Sequence, residues 1–279
     1  MRLITLAPIL AVVALGCKPP VEAPADLDAL AVYMYANFGN EGTDELAAAA
    51  VNLEALLAPL DYDANTADRS WSLEPLAEAD MGGISPTPGA DVSLQVPVAV
   101  AGMFTGTMDD AVDQILDPNQ VCIGADGYVY YERRFEAGDD CWGDASCELL
   151  EMSNVARYES ALADVWLNEK MISRHVLLED GRTAIVEQGW MEQQFTSDNG
   201  NATWDQRYGL DFYLPVSEGS SEVYRFFAFW SSADIPGVGD DIYANLAVSG
   251  IDEGFANESA FLAGEECSND RDGEYEPPF

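Results

Sequence analysis

The chain has 279 residues with 50 acidic and 12 basic side chains, a formal net charge of −38. That balance excludes nucleic acid and anionic lipid surfaces as partners, because each would add to the repulsion. Hydrophobic residues make up 48% of the sequence, so the acidity is laid over a core-forming composition and not over a disordered one.

Met1-Arg2 gives a short positive start, and an apolar run follows from Leu3 to Leu15, broken by Thr5 and Pro8. A membrane-spanning helix needs about 20 apolar residues, and this run gives way to Lys18-Pro19-Pro20, so residues 1–16 read as a targeting signal. Its end, Val13-Ala14-Leu15-Gly16-Cys17, resembles the lipobox of bacterial lipoprotein precursors, departing from it at Ala14, where Leu is commonest. The resemblance implies cleavage before Cys17, diacylglyceryl modification and acylation of that residue, and a mature chain held at a membrane by its lipid. Lys18 in the next position implies outer-membrane sorting in a Gram-negative envelope. Ordinary secretion, with Cys17 paired or free, is the alternative. Residues 17–26, with prolines at 19, 20 and 24, read as an extended tether.

The spacing of Leu27, Leu30, Met34 and Tyr35 predicts a helix to Phe38, interrupted by Gly39 and Gly42. Thr43 is then the expected N-cap of a second helix to Leu57, giving a helical hairpin over residues 27–60. Residues 61–90 are rich in turn formers and read as a connecting segment. The body, residues 91–267, begins with a strand over 92–100 and a short helix over 108–116. An aromatic strand follows from Gly127 to Phe135. From Ala145 to Leu167, apolar residues at 149, 152, 155, 156, 162 and 166 have helical spacing and predict the long helix of the body. Asp180-Gly181 between two apolar segments marks a hairpin, and strands are expected over 204–214 and 223–230. Along the first of these, Tyr208, Leu210, Phe212 and Leu214 share one face while Arg207, Gly209 and Asp211 share the other. The fold class is therefore α+β, an antiparallel sheet packed against helices with an N-terminal helical hairpin. A transmembrane barrel is excluded by Pro277-Pro278 before the terminal Phe279 and by the helices.

Apart from Cys17, the cysteines are 122, 141, 147 and 267. An even number in an oxidising compartment implies two disulfides, and of the three connectivities we take Cys141–Cys147 with Cys122–Cys267. The spacings do not match paired zinc knuckles.

No nucleophile elbow, zincin motif or phosphate-binding glycine loop is present. His175, beside Val176 at the start of a strand, reads as structural. Calcium is the metal the sequence comes nearest to accommodating. In the acidic tail, residues 268–279, Asp270 and Asp272 alternate before Gly273 as in a calcium loop, but the first-position Asp and the twelfth-position Glu are missing. A solvated tail is the competing reading. The function that fits is a noncatalytic, lipid-anchored interaction or small-ligand-binding protein, its partner an apolar small molecule or an envelope protein. Tyr208, Leu210, Phe212 and Phe227 are the expected pocket residues, although the same pattern also builds a core. The arrangement of long helix, meander and cavity is similar to a START-like helix-grip domain, an analogy of fold with no motif behind it. The alternatives are a carboxylate-dependent hydrolase acting on carbohydrate, which needs two acidic residues in one cleft, and a purely structural envelope protein.

Overall fold

The computed structural model describes residues 21–265 and 275–279. The hairpin forms as the spacing predicts, with α1 at Leu27–Asn37 and α2 at Asp44–Leu57. Asp26 caps α1, its Oδ1 accepting from the Ala29 N–H at 3.3 Å. Thr43 precedes α2 without a side-chain cap bond, leaving Asp44 and Glu45 to offset the exposed amides of the first turn. Asn52 donates from Nδ2 to the carbonyls of Ala23 and Pro24, at 2.9 Å each, and so fixes the chain entering the hairpin. The segment after it wraps onto the body and buries Leu73, Leu76 and Met81.

Nine strands form one antiparallel sheet: β1 (Ser70–Ser72), β2 (Val96–Thr105), β3 (Tyr128–Ala137), β4 (Leu149–Glu159), β5 (Asp164–Leu177), β6 (Thr183–Trp190), β7 (Phe195–Thr196), β8 (Thr203–Pro215) and β9 (Glu222–Asp234). Their order is β1-β2-β9-β8-β6-β5-β4-β3, with β7 paired to β8. Two further helices, α3 (Met108–Ile115) and α4 (Asp240–Leu262), complete an α+β architecture. The Asp180-Gly181 hairpin joins β5 to β6, with Gly181 at φ 92°, a conformation that needs no Cβ.

Two expectations are corrected. The stretch 145–167 is not a helix but the hairpin of β4 and β5, turned by Ser160, whose hydroxyl accepts from the N–H groups of Leu162 and Ala163. Six consecutive residues of β4, from Met152 to Arg157, are buried, and a strand covered on both faces loses the alternation that would identify it. The long helix of the body is instead α4, in a stretch whose pattern announces none. Only Phe255 and Glu258 of α4 are buried, while Ile242 and Leu246 are exposed, so it carries no continuous apolar stripe. Residues 92–94 form a 3-10 turn, and the strand begins at Val96. Among the described residues no helix is long and apolar enough to cross a membrane.

Alternation along the central strands makes two unlike layers. Tyr208, Leu210, Phe212 and Leu214 of β8 pack under the hairpin with Phe226, Trp230 and the buried residues of α1 and α2. Tyr35 of α1 meets Trp230 and Tyr208 edge-on, with ring centroids 5.5 and 6.3 Å apart. Arg182 ties α2 to the β5–β6 hairpin, its Nη2 2.6 Å from Glu54 and its Nε 2.7 Å from Asp180. Cys141 and Cys147 are joined as expected, and the loop they close presents Trp142, fully buried, to the ring of His175 at 4.3 Å. The opposite face of the sheet is crossed by α4, and Phe212 has no part in it. Phe212→Ala is expected to lower unfolding free energy by about 3–5 kcal/mol through loss of a fully buried ring, measured by denaturant unfolding. A loss of under ~1 kcal/mol would contradict the assignment of Phe212 to this core.

Candidate functional site

A cavity of about 380 Å³ lies between α4 and the second face of the sheet. Its floor exists because two glycines, Gly189 of β6 and Gly209 of β8, stand directly opposite one another in register. Tyr128, Tyr131, Phe227 and Phe229 supply aromatic walls, and α4 roofs the space through Ala247, Gly250 and Phe255. Gly102 of β2 permits the close approach of that roof, since a Cβ there would come within 2.4 Å of the Phe255 ring.

Charge is built into these walls. Arg207 lies over the Phe229 ring at 4.8 Å, with Nε 2.7 Å from Glu169 and Nη1 donating to the Tyr128 hydroxyl at 3.2 Å. Arg225 is held between the rings of Tyr213 and Phe255, 4.8 Å from each. It grips Asp211 through Nε, at 3.1 Å, and Nη2, at 2.5 Å, and reaches Glu258 of α4 through Nη1. Burial raises the Glu169 carboxyl above its ordinary range, with Arg207 opposing. Burial also pushes Glu258 up to about 7 against the attraction of Arg225. Glu187, on β6, is raised by burial as well, with Arg133 of β3 opposing and Asp211 reinforcing the shift.

Of the expected pocket residues, Phe227 lines the cavity. Tyr208, Leu210 and Phe212 do not. They lie on the other face in the filled core beneath the hairpin, where the Tyr208 hydroxyl accepts from the Thr87 N–H at 2.9 Å. The reason is the two-residue period of a strand: the polar set Arg207, Gly209 and Asp211, on the face opposite the expected pocket residues, is the set that α4 covers. Arg133, Glu169, Glu187, Arg225 and Glu258 are absent from the sequence-based expectation. The available signal is the placement of scarce arginines, such as Arg225 beside Phe226 and Phe227, inside aromatic strands. His175 is occupied by Trp142, whose carbonyl lies 3.0 Å from Nε2, and burial lowers its pKa. Cys122 is itself a half-cystine. Its expected partner Cys267, the lipidation residue Cys17 and the calcium candidates Asp270 and Asp272 lie outside the described residues. At the end of the tail, Phe279 packs its ring against Trp166 and Phe195, and Arg134 donates to its carbonyl at 2.8 Å.

No protein-family model matches the chain, and no curated protein matches it. Solved structures similar to it include a STAR-related lipid transfer protein from Xanthomonas axonopodis, with 10% identity and a TM-score of 0.41 over 60% of this chain and 85% of that one. Human StAR-related lipid transfer protein 5 has 12% identity and a TM-score of 0.39, over 77% of this chain and 97% of that one. A Thermus thermophilus protein has 10% identity and a TM-score of 0.41, over 60% of this chain and 97% of that one.

Because the folded-state pKa of Glu258 lies near 7 and its ordinary value is 4.5, the folded protein holds a proton there that the unfolded chain releases between those values. Stability from this group is fully present below about pH 4.5 and is lost as pH rises through about 7. Glu258→Gln is expected to remove that slope. Denaturant unfolding of both proteins from pH 4 to 8 checks this, and parallel pH profiles would contradict it.

Proposed function

We propose that this chain binds an amphipathic small molecule in the cavity beneath α4 and is held at the cell envelope by lipid on Cys17. The observation that carries the binding half is the cavity itself, walled by aromatic rings and by paired charges. The space opens to solvent between aromatic walls, and a ligand that enters it gains by burying apolar surface against those rings. Such a space is kept for an occupant, and its mixture of rings and charges suits a ligand with an apolar body and a polar end. A carbohydrate hydrolase fits less well. Arg207 engages Glu169 and Arg225 engages Asp211, which leaves Glu187 on the floor and Glu253 on α4 as the lining carboxyls without an arginine contact, among aromatic rings and not in an acidic cleft. The lipobox-like residues ending at Cys17 support the anchor, and the acidic surface keeps the body off anionic headgroups.

The test uses the full chain carrying Cys17→Ala, exported and purified without detergent, then extracted and analysed by mass spectrometry. A copurifying amphipathic small molecule is expected. Gly209→Val fills the cavity floor while raising strand propensity, so it is expected to abolish that copurification and leave the melting temperature within a few degrees. No extractable molecule, and no uptake of the uncharged dye Nile red by the wild type, would overturn the binding reading. For the anchor, the intact mass of the unsubstituted protein from membranes is expected to show acyl chains on Cys17, and an unmodified cysteine there would overturn it.

A further inference from the structure

Arg207 and Arg225 each meet a carboxylate across the cavity, but Arg133 does not. It is 4% exposed and lines the cavity at the end nearest α3. Its Nε donates to Asn154 Oδ1 at 3.1 Å, Nη1 to the Ile115 carbonyl at 2.8 Å, and Nη2 approaches the Met171 sulfur at 3.7 Å. A guanidinium has five N–H donors, so two remain open, and among the described residues no carboxylate pairs with it directly, Glu187 acting on it only through its field. The same cavity is lined by Glu187, 2% exposed, one of whose oxygens accepts from the Ser173 hydroxyl. Its other oxygen meets no protein donor among the described residues. Gln114 of α3 also lines the cavity, and its buried Oε1 has no partner among the described residues. Asp211 and Glu258, the other carboxyls whose fields reach Glu187, are both engaged by Arg225.

We propose that Arg133 and Glu187 form the head-group subsite of the cavity and that the group they take is a carboxyl. This rests on the cavity being the ligand site and adds the class of ligand: a monocarboxylic acid with a long apolar chain. The two open N–H groups of Arg133 suit a carboxyl oxygen pair, the geometry in which arginine binds carboxylates best. Charge selects the same group. Two carboxyls, that of the ligand and that of Glu187, share one proton beside one guanidinium, and the site is neutral. Burial already favours a proton on Glu187, which then donates to the ligand. A phosphate monoester would bring a second negative charge that no described cation balances. An amine would face Arg133 with like charge. The chain of the ligand then runs from this end toward Phe227, Phe229 and Leu167, away from the charge.

The experiment measures binding of dodecanoic acid, dodecanol and dodecylamine to the full chain carrying Cys17→Ala, by displacement of Nile red. The acid is expected to bind at least about tenfold more tightly than the alcohol or the amine, the difference that one charge-assisted hydrogen-bond pair supplies. Arg133→Gln is expected to remove that preference, and retained uptake of Nile red by the variant shows that the cavity is intact. Glu187→Gln replaces the shared proton with an amide donor and is expected to hold or strengthen acid binding. Equal affinity for acid and alcohol in the wild type would overturn the carboxyl subsite and leave the cavity as the ligand site, because both still bind. If Arg133→Gln does not fold, the wild-type preference and its retention in Glu187→Gln decide, and loss of the acid preference in Glu187→Gln overturns the proposal.

Discussion

The guanidinium of Arg225 is the point on which the ligand side of the molecule depends. It gathers a carboxylate from β8, a carboxylate from α4 and two aromatic rings, so that helix and sheet share one buried charge. Without it, Asp211 would be a buried unpaired charge, a change worth about 3–5 kcal/mol, and Glu258 would lose its link to the sheet. Gly102 completes the junction, because β2 is smooth where the Phe255 ring descends. Arg69 secures the next turn of α4, donating to the Ala101 carbonyl at 2.7 Å and pairing with Asp252. Tyr243 does the same near the start of the helix, 2.8 Å from the Ser231 hydroxyl. Polar junctions along its length therefore position α4, which explains why a helix without an apolar stripe lies in one place.

The two faces of the sheet divide the work of stability from that of binding. Under the hairpin, side chains interdigitate and buried residues such as Leu210 and Phe226 are fully enclosed. That layer supplies the hydrophobic stabilisation from which the other face is relieved. Beneath α4, facing glycines and stacked arginines hold a space open, which a packing-driven layer would close. A cavity of this kind is tolerable only beside a core that is complete without it.

In a chain so acidic, each cation has a large effect. Arg182 joins α2 to the β5–β6 hairpin, and Arg174 pairs with Glu148 while donating to the Phe38 carbonyl behind α1. Arginine is suited to such junctions because its planar group binds several acceptors at once and keeps its charge when buried. Against that background, an arginine such as Arg133, bonded only to neutral groups, is the exception that a ligand would complete.

Local order was written in the chain. The helical hairpin, the Asp180-Gly181 turn and the faces of β8 follow from helical spacing, turn chemistry and strict alternation, all of which act within a few residues. The Cys141–Cys147 bridge, six residues apart, was legible for the same reason. Two things were decided only by tertiary structure. One is the identity of Ala145–Leu167 as strands, since burial on both faces erases the two-residue period and leaves spacing that also fits a helix. The other is which face of β8 holds the cavity. A polar face carrying Arg207 and Asp211 looks solvated until a helix from about 30 residues further along covers it, and a sequence pattern records the character of a face but not what will be laid upon it.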